Sequence, residues 1–108
     1  MKKNSPPKRD YDAEKKQTDA QRAMENAKKK MDEAKKAVDY ATALAEKHPK
    51  PETLAASMLA VKDYAATVDR FTDSVCKSTD ARIVNGNAIS RYYEAYAHYR
   101  YSQGRKSR

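Results

Sequence analysis

The sequence predicts an all-α fold: a long antiparallel helical hairpin, coiled-coil-like with an alanine-rich seam, followed by a third C-terminal helix. Three observations carry this. Ala13, Ala20, Ala27, Ala34 and Ala41 recur every seven residues, and Gln17, Met24, Met31, Val38 and Ala45 recur in the same period four residues later. Together they give the 4-3 spacing of one inward helical face over about five heptads. Pro49 and Pro51 then break the chain, and a second run of heptad-spaced residues follows.

The elements follow in order. Residues 1–8 form a basic tail in which Pro6-Pro7 favours an extended form and nothing apolar beyond Met1 can pack. It is expected to be disordered. Helix 1 is expected over about residues 10–47, opened by Asp10, Asp12 and Glu14, whose charges suit the positive helix end. It is rich in Ala, Lys, Glu and Gln, the better helix formers, and lacks Pro and Gly until the connector. In the connector His48-Pro49-Lys50-Pro51, Pro49 turns His48 out of helical geometry and Pro51 suits the first position of a new helix. So short a link makes antiparallel neighbours.

Helix 2 is expected over about residues 52–78. Its inward columns are read as Leu54, Val61, Val68 and Val75 with Met58, Ala65, Thr72 and Thr79, flanked by Ser57, Tyr64, Phe71 and Ser78. The next inward position would be Arg82, so the helix is expected to break at Ser78-Thr79-Asp80, where side chains can cap. A competing break is the turn-like Asn85-Gly86-Asn87. Helix 3 is then expected over about residues 81–102, or from residue 88, with Val84, Ala88, Tyr92, Ala95, Tyr96 and Tyr99 on one face. Residues 103–108 form a basic tail.

Composition bounds the function. Leu, Ile, Val and Phe number only 11 of 108 residues and the net charge is +8. Composition alone would read as disorder, but the sustained heptads read as helices with a thin core. Such a chain draws stability from self-association or a partner. Cys76 is the only cysteine, so no internal disulfide forms, and there is no membrane-length apolar run or secretory leader. A cytoplasmic, unexported protein is the expectation. Charge is concentrated at the ends: residues 1–9 carry +4 and residues 82–108 carry +5. An anionic partner would meet those ends first.

Residues 91–101 hold five of the eight tyrosines, among Arg91 and Arg100. Three readings stay open. Tyr92, Tyr96 and Tyr99 can fill the groove of the hairpin. Tyrosine and arginine can anchor a protein interface. Or the rings can stack on bases while arginines neutralise phosphates. Tyr93, Arg100 and Tyr101 fall off the stripe and are expected to be exposed. The candidate residues for binding a partner or nucleic acid are Arg91, Tyr93, Arg100, Tyr101, Arg105, Lys106 and Arg108, with Lys2, Lys3, Lys8 and Arg9 at the other end.

Arg91 and His98, two turns apart on one face, are similar to the Arg-and-His motif of the HEPN family of all-α ribonucleases. The resemblance covers these two residues and implies an RNA-cleaving pair that converges across a dimer. Tyr92 stands where that family often carries a polar residue. His48, His98 and Cys76 lack ligand-like spacing, and two glycines cannot build a phosphate loop, so no metal, cofactor, catalytic residue or small-molecule substrate is expected.

These observations favour a small non-enzymatic interaction protein. It would bind a protein partner or copies of itself through the hairpin and the tyrosine-rich helix. Nucleic-acid binding through the basic ends is the alternative, and the HEPN-like ribonuclease is the distant one.

Overall fold

The computed structural model describes residues 5–106, the side chains of residues 105 and 106 excepted. It contains two helices: α1, Tyr11–Lys47, of 37 residues, and α2, Pro51–Lys106, of 56 residues. The Asp10 carboxylate accepts a hydrogen bond from the Ala13 N–H at 3.0 Å, which caps α1. At the other end the His48 N–H still reaches the Leu44 carbonyl at 2.9 Å, and Pro49 stops the helix. Pro51 occupies the first position of α2, where its missing N–H costs no bond. The Thr53 hydroxyl accepts from the Lys50 N–H at 3.0 Å and donates back toward His48, tying the turn. The expected span of helix 1 and the connector both hold.

The chain forms two compact units. One, Ala20–Ser78, is the hairpin built around the connector. The other joins the start of α1, through Asp19, to the part of α2 from Thr79 onward.

In α1 all ten residues of the predicted seam are buried or half-buried, from Ala13 to Ala45. The expected seam of α2 does not hold. Leu54, Met58 and Val61 are 51%, 74% and 50% exposed. The residues turned inward in the hairpin unit are Ser57, Tyr64, Phe71 and Ser78, alternating with Thr53, Ala60, Thr67 and Ser74. The true seam lies one residue away from the expected one.

Chemistry explains how hydroxyl residues can occupy it. Thr67 donates to the Tyr64 carbonyl at 2.7 Å and Ser74 to the Phe71 carbonyl at 2.7 Å. Each satisfies its polar atom within its own helix and presents a small surface to α1. The Thr42 and Ser57 hydroxyls meet at 3.4 Å across the hairpin. That contact sets a register in which Ala34 and Ala27 lie level with Tyr64 and Phe71, while Met31 and Met24 lie level with Thr67 and Ser74. Large residues therefore alternate with small ones across the seam.

The same one-residue offset explains the helix that was expected and is not there. α2 runs unbroken through both proposed breaks. With the seam in its true register the next inward residues are Ala81, Asn85 and Ala88, not Arg82, and all three are buried or half-buried. The residues that looked like caps are engaged elsewhere. Ser78 donates to the Gln21 side-chain oxygen at 3.5 Å, and the Asn85 amide donates to that of Gln17. The Asn85 carbonyl oxygen is buried without a partner, a cost of about 1–3 kcal/mol. A lone seam asparagine of this kind fixes register. Gly86 is helical, and a Cβ there would meet nothing within 4 Å.

Two substitutions test this packing. Ala45 is 8% exposed, so Ala45→Leu should overpack the seam and lower unfolding free energy by roughly 1–3 kcal/mol. Ala27 borders an open groove of about 300 Å³, so Ala27→Leu should cost less, both being read by urea denaturation. Gly86→Ala should raise stability by about 1 kcal/mol, the helix-propensity difference. A loss of stability there would mean that residues 85–87 form a turn.

Candidate functional site

Two surfaces carry the side chains able to recognise something. The first lies in the unit that contains the end of α2. Tyr92, Tyr96 and Tyr99 are half-buried and form a ladder, with ring centroids 6.0 and 6.1 Å apart. Inward spacing here runs 88, 92, 96, 99. Two successive steps of four replace the heptad's 4-3 alternation and locally shift the seam, which brings Tyr96 inward and leaves Ala95 out.

Tyr93 stands 62% exposed, its ring edge-to-face with Tyr92 at 5.3 Å. Arg91, Arg100 and Tyr101 are exposed as well. Val84, placed on the inward stripe by spacing, is exposed.

The segment before α1 lies against this part of α2. Pro7 is half-buried. Pro7, Lys8 and Asp10 line a shallow depression of about 200 Å³ with Ala88, Arg91, Tyr92 and Ala95. The fold thus gathers Lys8 and Arg91, far apart in sequence, around one hollow that also holds a carboxylate. Arg9 is spent locally, 3.9 Å from Glu14 and 5.9 Å over the Tyr11 ring.

His98 lines a neighbouring depression of about 440 Å³ with Ser5, Pro7, Ala95, Tyr99 and Ser102. Arg91 and His98 therefore open into different hollows that share Pro7 and Ala95. Lys2, Lys3 and Arg108 lie outside the described residues, as do the side chains of Arg105 and Lys106. Among the described residues no group of three His, Cys, Asp or Glu side chains could hold a metal ion, and no helix is long and apolar enough to cross a membrane.

The second surface was assigned to the core by its spacing and proves to be outside. Leu54, Met58, Val61, Ala65, Val68, Thr72 and Val75 keep a 4-3 spacing down one face of α2. Val68 and Val75 are half-buried and the rest exposed. Thr72 donates to the Val68 carbonyl at 2.9 Å, so its hydroxyl is satisfied and its methyl extends the apolar stripe. The stripe is visible in the sequence as a heptad column, but its spacing does not fix which face of α2 meets α1. No protein-family model, curated protein or solved structure matches the chain.

Proposed function

We propose that this chain is a small non-enzymatic interaction protein that works by covering the apolar face of α2 against protein. The observation that carries this is the exposure of Leu54, Met58 and Val61 in series on a helix whose other face is already occupied by the hairpin seam. Fully burying one such side chain contributes roughly 1.5–3 kcal/mol. The core cannot supply that from within: its buried apolar residues are the alanines Ala13, Ala45 and Ala88, and among the described residues no large side chain is fully buried.

The far end of α2 offers a second kind of contact. Tyr93 and Arg100 are exposed there, and tyrosine and arginine are the usual anchors of interfaces. The same groups, with Arg91, Tyr101 and the basic ends, also favour the nucleic-acid reading, since rings stack and guanidinium groups neutralise phosphates.

Capture on the immobilised chain at low salt, with and without nuclease, separates the two readings. The variant Met58→Lys/Val61→Lys is run beside it. Both positions lie outside the seam, so helix content by circular dichroism should be unchanged. The proposal expects protein that is retained through nuclease treatment and lost with the variant. Retained material that disappears with nuclease and ignores the variant would transfer the function to nucleic acid.

A further inference from the structure

We infer that the occupant of the α2 stripe is a second copy of this chain, its α2 lying antiparallel across a two-fold axis. This rests on the interaction reading above and names its partner.

Exposed apolar surface gives the first reason. Leu54, Met58 and Val61 are 51%, 74% and 50% exposed in series on one face of α2, and a homodimer that pairs this face with itself removes that surface from water on both chains at once.

Self-complementarity gives the second. An antiparallel helix pair meshes one inward column against the other. Placing the axis between Ala65 and Val68 sets Ala65 level with the partner's Val68, Val61 with its Thr72, and Met58 with its Val75. Two of these layers join a larger residue to a smaller one, and the third sets Val61 against the similarly sized Thr72, so no layer brings two large side chains together.

Charge gives the third. On the flank of the stripe away from the hairpin seam, successive heptads present Lys62 and then Asp69, both exposed. In the two-fold antiparallel arrangement Lys62 faces the partner's Asp69, and the symmetry repeats the pair. A parallel arrangement would leave them offset by two turns, about 10 Å. An interface that contacts itself across a two-fold axis needs this kind of self-matching charge.

Sedimentation equilibrium on the full chain at low salt tests the inference. The unmodified chain should be dimeric at micromolar concentration, and Val68→Glu should be monomeric with unchanged helix content. Lys62→Glu and Asp69→Lys each replace two attractions by two repulsions and should weaken dimerisation about tenfold. Mixing the two single variants should restore it, because each then faces its opposite charge across the axis.

A monomer at 100-fold higher concentration would overturn the second-copy inference. Protein retained through nuclease in the capture experiment would, in that event, leave the interaction reading standing. A dimer indifferent to Val68→Glu, or one that mixing fails to restore, would also overturn the arrangement.

Discussion

The alanine column of α1 and the hydroxyl-rich column of α2 let two helices approach closely, and most other features of the chain follow from that contact. Alanine has no side-chain bulk beyond Cβ, and serine and threonine can return their hydrogen-bonding capacity to the backbone of their own helix. Tyr64 and Phe71 then fit level with alanines instead of forcing the helices apart. The cost is burial: the small residues remove little apolar surface from water and the large ones, Met24, Met31, Tyr64 and Phe71, stay only half-buried, so close packing here is specific without being strongly stabilising.

That shortfall gives the second face of α2 its meaning. A helix needs one apolar stripe to join a hairpin, and α2 carries two at nearly the same period, offset by one residue, which is about a quarter turn. The hairpin uses the more polar stripe, in which serine, threonine and alanine alternate with Tyr64 and Phe71. The stripe of Leu54, Met58, Val61 and their heptad successors is left facing outward. Asn85, bonded to Gln17 within its own unit, contributes little stability but disfavours slippage to a register that would bury the aliphatic stripe instead.

Much of α1 was legible in the sequence because its contrast is clean: one heptad column is entirely alanine and its surroundings are charged. α2 was not, for a physical reason. Ranking residues by type favours Leu54 and Val61 over Ser57 and Ser78 as core, but Thr67 and Ser74 are polar only until their hydroxyls bond the preceding turn. The one-residue error then propagated. It put Arg82 inward and so suggested a helix end at Ser78, whereas Asn85-Gly86-Asn87 resembles a turn by composition alone. The exposure of Tyr93, Arg100 and Tyr101 was legible from helical spacing alone. The placement of Lys8 and Arg91 around one hollow was not, because it depends on where the segment before α1 lies against α2.

The packing depends on which column of α2 faces α1, and disulfide trapping in a Cys76→Ser background reads that directly. The hydroxyl contact between Thr42 and Ser57 places T42C and S57C for rapid intramolecular closure under mild oxidation. T42C with M58C, one position further along α2, should close far more slowly, because Met58 faces outward. Equal or faster closure of the Met58 pair would put the aliphatic stripe in the seam and contradict the account.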